Sequence, residues 1–345
     1  MKYDNCPLYS LKSKKMLKYL LGVKDSTLFK QDYVASLVEP YIDSTGKPRL
    51  IEPPHAELKI IQKKIKIMLG KIEVPDNIFS GIKGRSYADN AVFHTGEHLR
   101  HLFKIDLTAF FPSIKRETVY RFFHENLLCS SDVAQILTNF TTIDLSKSKT
   151  RDIYAVHQFL ESKNVKSYNH LISGAPTSQI LSYLVNHKMF DDMQDISNET
   201  SVIMTVYVDD ITFSSDFYIS KKFKEKIFAV ISKYGYHVSK KKTKSYSRVY
   251  PKLVTGVIID AEGRLTIKNS LRKKIIIEHE HLREHPDDIV SRQRLRGLIT
   301  AARQVIKKVY PTIHRFAFAK YSKDYKCCLT CKPVECSKEN DHQIE

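Results

Sequence analysis

The stretch Val202-Ile203-Met204-Thr205-Val206-Tyr207-Val208-Asp209-Asp210-Ile211-Thr212-Phe213-Ser214 decides the reading of this chain. Two short apolar runs flank Tyr207-Val208-Asp209-Asp210, which reads as a β-hairpin with two adjacent carboxylates at its tip. Neighbouring strand residues point to opposite faces, so the turn has to bring both carboxylates into play. Adjacent aspartates repel each other unless cations neutralise them. The ordinary alternative is a solvated Asp-Asp turn. The apolar runs on both sides argue against it, because they set the carboxylates on a sheet floor.

Working outward, a second short apolar run, Leu102 to Leu107, carries Asp106 near its end and is followed by Phe110-Phe111-Pro112. It reads as a buried strand that supplies a third carboxylate. Hard divalent cations such as Mg²⁺ take oxygen ligands, usually one or two carboxylates together with substrate phosphates. Two such ions, roughly 3.5–4 Å apart, activate an attacking hydroxyl and stabilise a leaving oxygen. Three aspartates on neighbouring strands meet that need, with Mg²⁺ expected and Mn²⁺ as a substitute. Taken singly, each is more often a cap or a surface charge.

Composition points the same way. The chain has 345 residues, 42% of them hydrophobic, so a packed protein with two or three structural units is expected. Lys and Arg total 56 against 38 Asp and Glu, a formal net charge of +18. Such an excess favours a polyanionic partner, because each neutralised phosphate releases counterions. No apolar run approaches the ~20 residues of a membrane-spanning helix. The start, Met1-Lys2-Tyr3-Asp4-Asn5, lacks the apolar stretch of a secretory signal. Of the cysteines, Cys327, Cys328, Cys331 and Cys336 share one short stretch, so they do not spread as a disulfide framework would. A cytoplasmic protein with reduced thiols and no membrane partner is expected. Cys328-x-x-Cys331, with His342 beyond, has zinc-ligand spacing, but no second pair accompanies it, and free thiols are the preferred reading.

Along the rest of the chain, residues 10 to 45 look helical and basic, and Gly46-Lys47-Pro48-Arg49 reads as a turn before the short strand Arg49-Leu50-Ile51. His55 to Leu69 has apolar residues at helical spacing, with Lys59, Lys63, Lys64 and Lys66 opposite. Glu117 to Asn126 reads as one helix. Residues 141–170 are polar and read as a surface insertion. Gly174-Ala175-Pro176 is a turn, followed by helices over Ser178 to Met189 and Lys221 to Tyr234. Strands around Val254 to Ile259, with a turn at Glu262-Gly263, precede a basic helical stretch from Lys268 to near Tyr321. The class is α+β with a helical C-terminal unit.

The ordered series of these motifs resembles a known family, the bacterial reverse transcriptases, and specifically the retron type. The series runs from Arg49 to about Phe316. It includes Arg49-Leu50-Ile51 with Pro53, Gly84-Arg85-Ser86, Asp106 through Phe111-Pro112-Ser113, Gly174-Ala175-Pro176-Thr177-Ser178, Tyr207-Val208-Asp209-Asp210 and Lys241-Lys242-Thr243. Asn90-Ala91-Val92-Phe93-His94 and Val254-Thr255-Gly256 are similar to elements that mark retron enzymes within that group.

The resemblance implies a right-hand polymerase fold. N-terminal helices and fingers would span 1–100, a palm with part of the fingers 101–250, a thumb 251–322 and a Cys-containing tail 323–345. It implies copying of a partner noncoding RNA into a branched RNA-linked single-stranded DNA from deoxynucleoside triphosphates. It further implies a role in anti-phage defence, with an effector protein as a further partner. Asp106, Asp209 and Asp210 would be the catalytic metal ligands, and Lys47, Arg49, Phe111, Gly174 and Lys242 would bind the nucleotide. Phe111 would form the wall under the sugar that favours deoxynucleotides, though a core Phe is its ordinary reading. Arg suits triphosphate because its planar fork binds phosphate oxygens bidentately. Asn90, His94, Thr255, Gly256, Arg292 and Arg296 would contact RNA, the arginines from a basic helix that tracks a duplex backbone; packing and a solvated helix face are the alternatives. The sequence departs from the family at Ser173, where Gln is usual, at Val208, where Ala is more frequent, and at Ser239, where Asn is common. The chain ends shortly after the thumb, so no nuclease domain is expected. A reduced group II intron-type enzyme, or an RNA–DNA-binding scaffold restraining an effector, are the alternatives.

Overall fold

The computed structural model describes residues 1–319 apart from Glu97 and Lys149. The Cys327–Cys336 cluster and His342 lie outside the described residues. The described residues divide into two compact units, residues 1–85 with 103–245, and residues 86–102 with 246–319. The short segment 86–102 therefore belongs with the C-terminal part of the chain, not with the N-terminal residues around it in sequence.

In the first unit, strand Asp210–Ser215 lies between strands Ile203–Tyr207 and His101–Asp106. The hairpin register pairs Tyr207 with Asp210 and Ile203 with Ser214. Both strands are buried along most of their length, which is why they read as continuous apolar runs without alternation. Helix Lys221–Lys233 covers the sheet with Phe223, Ile227 and Ile231, one residue per turn. Phe223 meets Phe213 edge to face at 5.4 Å between ring centroids.

The N-terminal part of this unit is helical with one hairpin. Helix Lys14–Leu21 is capped by the Ser13 hydroxyl, which accepts from the Met16 amide, and ends on Gly22 at φ +63°. Helix Ala56–Leu69 buries Leu58, Ile61, Ile65 and Leu69. Of its lysines, Lys64 is committed, donating to the Leu21 carbonyl at 2.7 Å, while Lys59 and Lys63 are exposed. Strands Tyr41–Asp43 and Arg49–Ile51 form an antiparallel pair.

Two segments differ from the sequence expectation. Glu117–Asn126 is not one regular helix. An α-helix over Arg116–Arg121 passes into a π-helical turn over Phe122–Asn126, where the adjacent rings of Phe122 and Phe123 are both buried. Residues 141–170 are not a surface insertion. Strand Thr142–Asp144 pairs antiparallel with Asn169–Leu171, and helix Ile153–Ser162 lies between them in sequence. Ile143, Leu145, Val156 and Leu160 are all buried in the main core. The polar residues cover one face of this excursion, and the few apolar ones suffice to fold it in.

The second unit holds three antiparallel strands, Lys252–Val254, Val257–Ile259 and Leu265–Ile267. Thr255 and Gly256 join the first two with φ of +45° and +94°, the double left-handed pattern of a tight hairpin turn. Helices Asn269–Glu284, Ile289–Val305 and Pro311–Phe318 follow. They enclose a separate core of Ile275, Leu282, Leu295, Ile299, Ile313 and Phe316. No helix among the described residues is long and apolar enough to cross a membrane. The observed class is α+β, as expected.

Leu160 tests the reassigned 141–170 segment. Truncation of a fully buried Leu typically costs about 2–5 kcal/mol, so Leu160→Ala should lower the unfolding free energy by that amount in denaturant titrations. A change below about 0.5 kcal/mol, the range of ordinary surface substitutions, would return the segment to the surface.

Candidate active site

The hairpin tip is held by main-chain hydrogen bonds. The Leu107 amide donates to the Asp209 carbonyl at 2.9 Å, and the Ser239 amide donates to the Asp106 carbonyl at 2.8 Å. Val208 and Asp209 form the two-residue loop between Tyr207 and Asp210. Such a loop needs positive φ at its first central residue, and Val208 sits at φ +60°. A β-branched residue disfavours that conformation. Its amide is secured by the hydroxyl of the buried Ser80 at 2.8 Å. The strain thus sits where the carboxylates turn over.

Lys104 and Asp106 are two residues apart on one strand and share a face. Lys104 Nζ lies 2.5 Å from Asp210 Oδ2. Lys242 Nζ lies 2.8 and 2.7 Å from the two oxygens of Asp106. Two ammonium groups therefore offset the charge of the buried carboxylates. Burial pushes the Asp209 carboxyl up to about 6, and the neighbouring charge of Asp106 reinforces this. Burial also raises Asp210, against the opposing pull of Lys104.

Sequence reasoning placed Lys242 by resemblance but missed Lys104 and Ser80. The signal for Lys104 was present: strand alternation puts residue 104 on the face of residue 106. Nothing in sequence pointed to Ser80, which meets Val208 across 128 positions.

The remaining expected nucleotide-site residues lie in the same unit. Lys47 and Arg49 are exposed, in and beside the loop of the Tyr41–Asp43/Arg49–Ile51 hairpin. Phe111 is half-buried and stacks on the buried Phe110, with centroids 6.3 Å apart. Gly174 is exposed at φ +116°, a conformation that favours glycine, with its missing Cβ 3.7 Å from the Glu52 carbonyl oxygen.

The expected RNA-contacting residues are placed differently. Asn90 is fully buried and donates to the Thr255 hydroxyl at 3.3 Å, and that hydroxyl donates to the Tyr87 carbonyl at 2.9 Å. His94 is buried, and desolvation lowers its pKa to about 3, so it is neutral at ordinary pH. Arg292 is buried, donates to the Phe316 and Pro286 carbonyls and lies over the Phe316 ring. Arg296 donates to the Ala317 carbonyl at 2.7 Å. Asn90, His94 and Arg292 hold the second unit together and present no open face to RNA. Burial of a long polar side chain with its partners overrides the helical spacing that suggested a basic face. Of the set, only Gly256 is exposed, with Thr255 and Arg296 part-buried.

Among the described residues no group of three or more His, Cys, Asp or Glu is already arranged around one ion position. The donor chemistry nevertheless suits a hard cation. Asp210 Oδ1 is buried without a hydrogen-bond partner, and the charge of Asp106 reaches Asp209.

This is a mixed α/β chain with aspartates at the tip of a sheet hairpin and on the adjoining strand, the design of a polymerase palm. The chain belongs to the reverse transcriptase (RNA-dependent DNA polymerase) family, whose model matches residues 30–272, and the right-hand polymerase fold comes with that membership. It is 28% identical over 257 residues to the Retron Se72 reverse transcriptase of Salmonella heidelberg (strain 579083-10), covering 70% of this chain and 59% of that protein. It is 24% identical to the Retron Mx65 reverse transcriptase of Myxococcus xanthus, covering 74% and 58%. With the Retron Ec86 reverse transcriptase of Escherichia coli it shares 26% identity, covering 68% and 65%. The chain thus spans less than two thirds of the length of these relatives. A solved foamy viral protease-reverse transcriptase in complex with double-stranded DNA covers 85% of this chain and 42% of its own, at 16% identity and a TM-score of 0.43.

Asp209 supplies a pH test. Its folded pKa lies near 6 against an ordinary 3.8, so the folded state holds the proton to higher pH than the unfolded state does. That contribution to stability is present below about pH 4 and is lost as pH rises through about 6. Asp209→Asn should therefore gain on the wild type across this window, by on the order of 3 kcal/mol in cation-free solution. An offset that stays constant from pH 4 to 7 would contradict the assigned burial.

Proposed function

We propose that the protein is an RNA-directed DNA polymerase of the retron type. It would copy a partner noncoding RNA into single-stranded DNA that remains joined to the RNA. The observation that carries the polymerase part is the meeting of Asp106, Asp209 and Asp210 at one end of the sheet, with the ammonium groups of Lys104 and Lys242 beside them. Asp106, Asp209 and Asp210 would hold two divalent cations, Mg²⁺ by donor chemistry with Mn²⁺ as a substitute, which supply charge neutralisation at the reacting phosphate and activate the attacking hydroxyl. The chain's own groups do the positioning. Arg49 and Lys47 offer exposed cations to the triphosphate. Phe111, five residues after Asp106, would supply the ring against which a ribose 2′-hydroxyl clashes. Lys242, already at Asp106, stands where a cation stabilises departing pyrophosphate. A 3′-hydroxyl, or an RNA 2′-hydroxyl at priming, forms the new P–O bond as the bond to pyrophosphate breaks.

The retron reading rests on similarity to several retron reverse transcriptases and on two sequence elements, Asn90–His94 and Val254–Gly256. Anti-phage defence, with an effector as partner, is the role we infer with it. The template RNA, deoxynucleoside triphosphates and product DNA are the expected partners.

Asp106→Asn and Asp209→Asn should each abolish DNA synthesis in primer extension, by more than about 10³-fold, the scale of losing a principal charge-stabilising group. RNA binding should stay nearly intact. Substantial synthesis by either variant would remove the carboxylates from the chemistry.

Phe111→Ala should raise incorporation of ribonucleotides relative to deoxynucleotides in single-nucleotide extension. An unchanged ratio would leave Phe111 as a packing residue only. The retron reading is checked separately, by digesting the product on the cognate RNA with a debranching enzyme; a product with no 2′-linked branch counts against it.

A further inference from the structure

Glu52 and His170 are 118 residues apart in sequence; Glu52 falls inside the Arg49–Pro53 element, and the family resemblance assigns a role to neither residue. Both side chains are 0% exposed, and His170 Nε2 lies 2.9 Å from Glu52 Oε1. His170 Nδ1 is buried with no hydrogen-bond partner. A hydrogen bond between the two side chains requires a proton on Nε2, directed at Glu52. The other carboxylate oxygen, Oε2, accepts from the Ser173 amide at 2.5 Å. A buried carboxylate is tolerable only when its oxygens are met in this way.

The same residues are tied by their backbones. The Glu52 amide donates to the Ser173 carbonyl at 2.7 Å, and the Ser173 hydroxyl donates to the Leu50 carbonyl at 3.1 Å. Gly174 follows, packed against the Glu52 main chain. Glu52 itself directly follows strand Arg49–Ile51. Arg49, three residues upstream, is about 10 Å away along the strand. The two ends of the nucleotide site, one cationic and one a glycine backbone, are thus fixed to a single buried knot.

We propose that Glu52, His170 and Ser173 form a clamp that sets the spacing between Arg49 and Gly174, making them positioning residues for the incoming deoxynucleoside triphosphate. This rests on the polymerase reading above. The knot touches neither the carboxylates nor any exposed nucleic-acid face, so its effect falls on nucleotide binding. Ser173 fills this role with its hydroxyl and amide, where a longer amide side chain is usual in the family. That hydroxyl turns back onto Leu50 and does not face the nucleotide.

The experiment measures steady-state primer extension on the cognate RNA and on a simple primer–template, varying one deoxynucleotide. His170→Leu leaves the Glu52 carboxylate with one donor fewer and should raise the KM for nucleotide by roughly tenfold or more. The apparent affinity for primer–template should stay within about twofold. His170→Gln retains an N–H donor and should restore most of the loss. Ser173→Ala removes one neutral hydrogen bond and should raise the KM by roughly twofold to fivefold. KM is independent of the fraction of protein that folds. A purely structural role would therefore lower the maximal rate and the melting temperature while KM stayed put, and that pattern overturns the clamp.

Hydrogen exchange supplies a readout that needs no activity. In His170→Leu the amides of Ser173 and Gly174 should exchange faster, with those of strand Asp210–Ser215 unchanged. Unaltered exchange at Ser173 overturns the clamp whether or not the wild type polymerises. Failure of the wild type to extend any primer overturns the polymerase reading instead.

Discussion

Everything at the candidate active site follows from one constraint: three carboxylates are held close together in a place that water reaches poorly. The hydrogen bond from the Leu107 amide to the Asp209 carbonyl brings the strand of Asp106 to the hairpin of Asp209 and Asp210. Like charges so placed repel, and burial raises the cost further. The protein answers with two ammonium groups, Lys104 on Asp210 and Lys242 on Asp106. Asp209 at the turn is left with its carboxyl pushed up to about 6. Any cation that binds here must compete with those lysines or displace them. The resting site is charge-compensated but not relaxed, as the left-handed Val208 also indicates.

The hairpin and the strand of Asp106 were legible because a two-sided buried strand writes itself as an uninterrupted apolar run, and its carboxylates then stand out. Residues 141–170 were misread for the complementary reason. Their buried positions, Ile143, Leu145, Val156 and Leu160, are few and spaced by Lys and Ser, so polar composition hid a strand–helix–strand excursion. Composition averages over faces; burial does not. The knot of Glu52 and His170 was invisible from sequence because neither residue has a local pattern. Only the fold brings positions 52 and 170 together, and a lone Glu after a strand reads as surface.

Asn90, His94 and Arg292 show a different limit. Resemblance can single out positions without saying what they do. Asn90 and Thr255 were picked from separate sequence elements, and the structure joins them by a hydrogen bond, with Tyr87 as the next link. The two elements are one structural feature. Its turn, Thr255–Gly256, has both residues at positive φ, which accounts for glycine by geometry. Buried side chains of this kind shape the surface their backbone presents. Whatever RNA specificity this unit has must come through that shape and through exposed neighbours such as Gly256.

Both units hold costly arrangements. The first keeps chemistry-bearing groups in costly arrangements, with like charges adjacent, a β-branched residue in the left-handed region and a carboxylate with no exposure. Each is compensated by a specific partner: Lys104 and Lys242, Ser80, and His170 with Ser173. The second unit has its own, with Thr255 at φ +45° and both ring nitrogens of His279 buried without a hydrogen-bond partner, while Arg292 donates to the Phe316 and Pro286 carbonyls. Costly arrangements persist only where the surrounding structure over-determines them. In the first unit they gather around Asp106, Asp209, Asp210 and Glu52, where carboxylates are held close together or fully buried.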